Sequence, residues 1–220
     1  AFRRVLFRSE FVENAVVGRA HHRRQRPDLI NVDGDKIVIC EKKDDKTLAN
    51  FIFQYRYAGL YMDRREAIEY CSDHQDDPAA LELLKTAMKD RYYGLRNLTI
   101  NCLDLDKPAV TSAAEPILAD LAQHDPNRTV QAAAIEQLGS YKKTEYRDFF
   151  IQKASDSSYS VAGNALEALK TIDPDEAYRL AKQFASQPAK GNLLSAMTDI
   201  FINAGDTSYQ SVIIEGYGKM

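Results

Sequence analysis

The stretch DPNRTVQAAAIEQLG (125–139) is followed by DSSYSVAGNALEALK (156–170), which starts 31 residues after it. Both stretches open on aspartate. Counted from that aspartate, both carry Val at offset 5, Ala at offset 9, Ile or Leu at offset 10, Glu at offset 11 and Leu at offset 13. The apolar matches fall on one face of a helix at the helical period. The two stretches therefore predict one helical unit that the chain uses more than once.

The same frame extends along the chain in both directions. Further copies begin at Ala58, Asp90 and Gln187, and the five copies are spaced by 32, 35, 31 and 31 residues. Such a period indicates stacked helix pairs, because a single pair cannot bury its apolar face alone. The pattern resembles HEAT-like repeats. Tetratricopeptide repeats have a similar period, but this chain has no Trp for their signature position.

Helix boundaries can be read from Asp, Pro and Gly. Aspartate caps a helix and proline suits the first helical position, so two Asp-Pro pairs predict helix starts. These pairs are Asp77–Pro78 and Asp173–Pro174. Glu176 has the spacing of a capping-box partner. Gly139 and Gly205 stand where helices are expected to stop. We count about ten or eleven helices after Thr47.

The segment DLINVDGDKIVICEKK (28–43) has a different pattern. Its Val and Ile residues surround the turn signal DGD, which predicts a strand pair or β-hairpin. The expected fold is mostly α, a HEAT-like α-solenoid of stacked antiparallel helix pairs preceded by a short β-hairpin or strand pair. We assign residues 27–44 to these strands, as the end of an upstream β-sandwich domain, and residues 45–220 to the helical repeats.

Residues 1–26 have a separate character. They hold seven Arg and no Lys, whereas the remaining chain holds eight Arg and fourteen Lys. The stretch FRRVLFRS (2–9) back-translates into the end of a common sequencing-library adapter. We therefore interpret residues 1–26 as a non-native or out-of-frame segment, with the authentic frame starting between residues 9 and 26. The alternatives are a basic arm for nucleic acid or membrane, or a metal site at His21 and His22.

Composition excludes several classes of function. The net charge is −3, and without residues 1–26 the balance is 22 basic against 30 acidic side chains, which disfavours nucleic acid as a partner. No apolar run approaches the roughly 18 residues of a membrane span. Cys40, Cys71 and Cys102 are far apart and form no CxxC pair, so neither a disulfide framework nor a cysteine zinc site is expected.

No catalytic motif occurs in the chain. HExxH, GxGxxG, Walker and GxSxG patterns are all missing, so no catalytic, cofactor-binding or metal residue is assigned. His74 lies among three acidic residues (Asp73, Asp76 and Asp77), where a solvated helix end is preferred over a cation site. A group of aromatics is assigned to packing rather than to a binding stripe. This group consists of Phe51, Phe53, Tyr55, Tyr57 and Tyr61.

Longer phrases carry a resemblance to one family. The stretch RPDLINVDGDKIVICEKKDDKTLANFIFQY (26–55) resembles the junction between the β-sandwich and the C-terminal helical domain of bacterial zinc aminopeptidases of the M1 family. YMDRREAIEYC (61–71), DPNRTVQAAAIEQLGSYKK (125–143) and DSSYSVAGNALEALKTIDP (156–174) resemble the HEAT-like form of that helical domain. The resemblance covers residues 26–220.

The resemblance implies a structural, substrate-gating domain that has no catalytic residues of its own. In that family two His and a Glu around HExxH hold zinc, a further Glu is the general base, and a Gly-x-Met-Glu-Asn stretch binds the peptide amino terminus. None of these motifs occurs here, so the chain alone is expected to be inactive. The implied partners are the upstream catalytic and β-sandwich domains and their peptide substrates, in the bacterial cytoplasm or periplasm. The alternative is a stand-alone HEAT-like scaffold for protein–protein interaction.

Overall fold

The computed structural model describes residues 45–211, 214 and 218, and it contains only helices, turns and loops within them. The predicted β-hairpin of residues 27–44 and the segment 1–26 lie outside the described residues. The mostly helical prediction is confirmed for the described part. The chain divides into two compact units, 1–84 and 85–220.

Ten α-helices and two short 3₁₀ turns follow one another in the described part. The helices are α1 (Leu48–Tyr57), α2 (Tyr61–Ser72), α3 (Pro78–Ala87), α4 (Tyr93–Asn101), α5 (Pro108–His124), α6 (Arg128–Ser140), α7 (Arg147–Ala154), α8 (Tyr159–Ile172), α9 (Pro174–Phe184) and α10 (Gly191–Asn203). The 3₁₀ turns are Thr144–Tyr146 and Thr207–Tyr209. The five copies of the sequence frame begin just before α2, α4, α6, α8 and α10. The frame therefore marks the second helix of each pair.

In the first unit, α1 packs against α2. The ring of Phe51 stacks on that of Tyr70 with centroids 4.0 Å apart. The buried side-chain amide of Gln54 donates from Nε2 to the backbone oxygen of Asp63 and to the carboxylate of Glu66, both at 2.8 Å. Aromatic stacking and a satisfied buried amide N–H group thus hold the first helix pair together.

In the second unit, the second helices of successive pairs pack in series, α4 on α6, α6 on α8 and α8 on α10. Helices α5, α7 and α9 each pack on the second helix of their own pair. The apolar frame positions of the two most similar copies, in α6 and α8, fill this core and are at most 1% exposed. They are Val130, Ala134, Ile135 and Leu138 in α6, and Val161, Ala165, Leu166 and Leu169 in α8. The repeated residues are core residues, as the frame predicted.

Glycine permits two close approaches between these helices. A Cβ on Gly163 of α8 would overlap the backbone of Asn192 and Leu193 at the start of α10. A Cβ on Gly139 would lie 2.8 Å from the Cβ of Ala168. Gly139 was expected to end its helix, but α6 continues to Ser140, so packing rather than termination explains this glycine. Gly205 follows α10 with φ of +65°, which confirms it as a helix stop.

Both Asp-Pro starts are confirmed. Asp77 accepts a hydrogen bond from the backbone N–H of Ala79 at 2.8 Å, and Asp173 accepts one from that of Glu176 at 3.1 Å. The capping box expected at Glu176 is wrong. Its carboxylate binds Arg179 instead, at 2.7 and 2.8 Å. The backbone N–H of Asp173 donates to Leu169, because α8 ends directly before α9.

Candidate interaction surface

His74 has structural partners. Its Nδ1 lies 2.7 Å from the backbone oxygen of Tyr70, and its ring stacks on the Tyr70 ring at 4.3 Å. One of its acidic neighbours, Asp77, caps α3. Within the described part of the chain, no three His, Cys, Asp or Glu side chains converge to hold a metal ion. His21 and His22 lie outside the described residues.

The aromatic group divides between core and surface. Phe51 is buried, as the packing interpretation predicted. Phe53 contacts Tyr57 in a tilted pair with centroids 4.3 Å apart, while Tyr57 is 61% exposed. Tyr61 is also exposed. Packing therefore accounts for the first member of the group and leaves Tyr57 and Tyr61 at the surface of the first unit.

Cys71 is fully buried in α2. Burial, with a smaller contribution from the charge of Asp77, raises the pKa of its thiol to about 12. A thiol with so high a pKa is protonated at neutral pH and is a poor nucleophile or metal ligand. Cys102 is half-buried, and Cys40 lies outside the described residues.

The aspartate that opens a repeat organises the turn before its second helix. Asp90, Asp125 and Asp156 each accept a hydrogen bond at Oδ1 from the backbone N–H two residues later, at 2.8, 2.8 and 2.9 Å. This Asx turn replaces a backbone turn bond and positions the next helix. The shared aspartate is therefore a turn residue. In Asp125 and Asp156, the second carboxylate oxygen also binds a side chain of the preceding repeat.

Arg96 of α4 binds the carboxylate of Asp125, the aspartate that opens the next repeat. Its Nε and Nη2 donate to Oδ2 and Oδ1 of Asp125 at 2.7 and 2.8 Å, and its Nη1 donates to the backbone oxygen of Asp90 at 2.8 Å. The arginine and aspartate side chains are 10% and 2% exposed. This is a buried, bidentate pair with further hydrogen bonds, the geometry in which Arg binds carboxylate best.

One repeat later, the corresponding ion pair between successive repeats lies at the surface. Arg128 donates from Nη1 to Asp156 at 2.9 Å, and the arginine side chain is 53% exposed. Gln131 occupies the offset that Arg96 has in the preceding copy, and its Nε2 donates to the backbone oxygen of Asp125 at 2.6 Å. We call the Arg96–Asp125 and Arg128–Asp156 pairs the buried rung and the exposed rung.

A second set of contacts joins successive repeats around Glu115 of α5. Its carboxylate accepts hydrogen bonds from Nζ of Lys143 at 2.5 Å and from the hydroxyl of Tyr146 at 2.9 Å. The Lys143 bond holds the pKa of Glu115 below its ordinary value. Tyr141 donates to the backbone oxygen of Thr111 at 2.8 Å, and burial raises the pKa of its hydroxyl to about 12. The two groups with shifted pKa values, Glu115 and Tyr141, thus take part in contacts between successive repeats.

Lys153 of α7 is a buried lysine. Its Nζ lies 3.4 Å from the backbone oxygen of Gln123 and 3.5 Å from Oε1 of Gln131. The ammonium also lies 5.7 Å from the centroid of the Phe149 ring. Burial lowers the pKa of this lysine. The contacts place its charge over the last turn of α5, where carbonyl groups favour a cation.

A surface groove of about 300 Å³ lies between α6 and α8. The two glutamates of repeat offset 11, Glu136 and Glu167, line it from different helices, and both are exposed. The groove is lined by Glu136, Gly139, Ser140, Lys142, Asn164, Glu167, Ala168 and Thr171. Most of these side chains are polar, and both walls come from second helices of repeats.

Side-chain amides connect the helices that form this surface. Asn164 donates from Nδ2 to the backbone oxygen of Ala132 at 2.9 Å and to Glu136 at 3.2 Å. Asn192 of α10 donates to Oδ1 of Asn164 at 2.7 Å. The amides hold α6, α8 and α10 in register and orient the Glu136 carboxylate. We call the exposed side of these three helices, with the groove, the polar face.

Comparison with known proteins agrees with this architecture. Residues 115–197 match the family model of HEAT repeats, a span that includes the groove. No curated protein matches the chain at a significant level. The chain thus carries a HEAT-repeat-like helical domain. None of the described helices is long and apolar enough to cross a membrane.

Proposed function

We propose that this chain is a helical-repeat scaffold whose polar face binds another polypeptide. The observation that carries the proposal is the groove between α6 and α8. The core positions of the repeat are buried, whereas Glu136 and Glu167 recur at one offset and face solvent in this groove. Repeat proteins commonly use the surface formed by successive repeats for binding.

Photo-cross-linking tests this proposal directly. A photoreactive residue is placed at Ser140 or at Thr171, on the two walls of the groove, and at Gln183 of α9 as an exposed control outside it. In the expressing cell, the two groove positions are expected to cross-link the same polypeptide, identified by mass spectrometry. The proposal fails if Gln183 gives the same products or if the two groove positions give none.

A finer proposal concerns whether the helical repeats pack on domains of their own chain or on a separate protein. The phrases in residues 26–220 resemble the C-terminal region of M1 zinc aminopeptidases, which supports a structural, substrate-gating domain that packs on upstream domains of its own chain. The alternative is a stand-alone scaffold with a separate partner. The DNA upstream of the codon for Asp28 distinguishes the two. An open frame that contains HExxH and a downstream Glu supports the aminopeptidase proposal, and a start site there contradicts it.

An activity assay gives a second test of the aminopeptidase proposal. The residues that would hold zinc in such an enzyme have no counterpart in this sequence. The purified chain is therefore expected to leave aminoacyl substrates intact when zinc is added. Zinc-dependent hydrolysis by this chain would contradict the assignment of catalysis to upstream domains.

A further inference from the structure

Three large apolar side chains are exposed where α1 meets α2. Tyr57 ends α1, Leu60 lies in the turn and Met62 is the second residue of α2, and they are 61%, 46% and 45% exposed. A Cβ on Gly59 of the same turn would meet no atom of the described residues within 4 Å, so the turn is open. Single exposed apolar residues are ordinary, but a cluster of them indicates a contact surface. We call Tyr57, Leu60 and Met62 the apolar junction.

A buried hydrogen-bond acceptor lies next to the apolar junction. Gln54 is fully buried, and its Nε2 donates to the backbone oxygen of Asp63 and to the carboxylate of Glu66. Both partners are acceptors, so the bonded atom is the amide nitrogen and Oε1 is left to accept. Among the described residues, Oε1 has no hydrogen-bond donor. Because buried polar atoms are rarely left without a partner, Gln54 indicates that a further donor binds here.

The segment that precedes α1 has a composition that suits this surface. Its pattern predicts a strand pair around the DGD turn, and a two-stranded hairpin alone is only marginally stable in water. The predicted strands therefore need an apolar surface to cover, and the apolar junction offers one. A strand edge also presents unpaired backbone N–H groups, which are the donors that Oε1 of Gln54 needs. The large aliphatic residues of the segment are Leu29, Ile30, Val32, Ile37, Val38 and Ile39.

The segment is long enough to reach the apolar junction. Helix α1 begins at Leu48, a few residues after the segment, and its 10 residues span about 15 Å. A strand advances about 3.3 Å per residue, so residues 36–43 would span about 26 Å. A strand that runs back along α1 from its start would therefore extend past its end, where the apolar junction lies. Ile37 and Ile39 would share one face near the far end of this strand.

We propose that the apolar junction is the docking site for residues 28–43 of the same chain. The side chains of Ile37 and Ile39 cover the apolar junction, and a backbone N–H of the strand edge donates to Oε1 of Gln54. The docked strands fix the direction in which the chain enters the first helix pair. This inference concerns the first unit and is independent of binding at the polar face.

Photo-cross-linking within the purified full chain tests this docking. A photoreactive residue replaces Leu60 or Met62, and Ala79 of α3, which is exposed in the same unit, is the control position. Illumination at low protein concentration favours cross-links within one chain, and mass spectrometry of the peptides locates them. We expect Leu60 and Met62 to cross-link to residues 28–43, whereas Ala79 should not.

Two double variants within the segment identify the side chains that dock. The variant I37S/I39S removes the apolar groups proposed to cover the junction, so the yield of cross-links from Leu60 should fall several-fold. The variant K42Q/K43Q changes two polar residues of the same segment and should leave that yield unchanged. Unchanged far-UV circular dichroism verifies that each variant is folded.

Three results would overturn the docking of residues 28–43. The first is that Leu60 and Met62 give no cross-link to this segment, or no more than Ala79 gives. The second is an undiminished yield in I37S/I39S. The third is that Leu60 and Met62 cross-link only between two chains, which would assign the apolar junction to a second copy of the protein.

Discussion

Replacement of Arg96 by Met tests whether the buried rung holds the repeats together. The guanidinium makes two bonds to Asp125 and one to the backbone of Asp90, and the Asp125 side chain is 2% exposed. In R96M, the Asp125 carboxylate stays in the interior without its cation. Removal of one member of a buried ion pair costs about 3–5 kcal/mol. The free energy of unfolding is therefore expected to fall by about that amount.

The exposed rung provides a matched control. Arg128 pairs with Asp156 through one 2.9 Å bond, and its side chain is 53% exposed. The same chemical change, R128M, removes a solvent-screened pair and should cost only about 0.2–1 kcal/mol. The two pairs differ both in burial of the arginine and in the number of hydrogen bonds that it makes. The comparison therefore measures burial and hydrogen bonding together.

Urea unfolding followed by far-UV circular dichroism measures both losses. The double variant R96M/D125A removes the isolated carboxylate as well, so it should recover part of the stability lost in R96M, reduced by the loss of the Asx turn at Asp125. The slope of the transition should stay constant if the repeats of the second unit unfold together. Equal losses in R96M and R128M would refute the assignment of stability to the buried rung.

Three further outcomes follow from the structure. G163A should cost about 1–3 kcal/mol in urea unfolding because the added methyl overlaps the backbone of α10. G59A, with no atom within 4 Å of the added methyl, should be neutral or gain up to about 1 kcal/mol, and an equal loss would contradict the packing argument. The lowered pKa of Glu115 adds stability that is present above the ordinary carboxyl pKa and lost as the pH falls through the folded value. The urea midpoint of E115Q should thus fall less than that of the parent between neutral and acidic pH. An equal fall in both proteins would contradict a contribution of Glu115 to the pH dependence of stability. Under native conditions iodoacetamide should modify Cys102 before Cys71, whose thiol pKa is about 12, and mass spectrometry of the peptides would expose the reverse order.

The core of the repeat could be predicted from the sequence because its signal is local. Val130 and Leu138 recur in the next copy at the same offsets, and a buried helix face needs that period. The buried rung has no such signal. Arg96 stands at an offset that holds Gln131 in the next copy, and its partner Asp125 lies 29 residues away. Only the packing of α4 on α6 brings the two side chains together.

Predictions from the local sequence were wrong where a neighbouring residue made a competing contact. Glu176 has capping-box spacing, but Arg179 lies one turn further on the same helix and binds its carboxylate. Gly139 resembles a helix stop, yet its lack of a side chain serves contact with Ala168. The repetition of Glu136 was visible in the sequence, whereas its exposure and its groove depend on how α6 meets α8. The aminopeptidase parentage and the adapter interpretation of residues 1–26 stay predictions.

The rungs also make the order of the repeats non-interchangeable. The copy that opens at Asp90 supplies Arg96 to the aspartate of its successor, and the copy that opens at Asp125 supplies Arg128 to Asp156. The copy that opens at Asp156 has Tyr159 and Ala162 at those two offsets, and its successor opens on glutamine. Each donor is thus matched to the first residue of the succeeding copy. If the copies that open at Asp125 and Asp156 were exchanged, the chain would keep every apolar core residue. Arg128 would then face Gln187 instead of an aspartate.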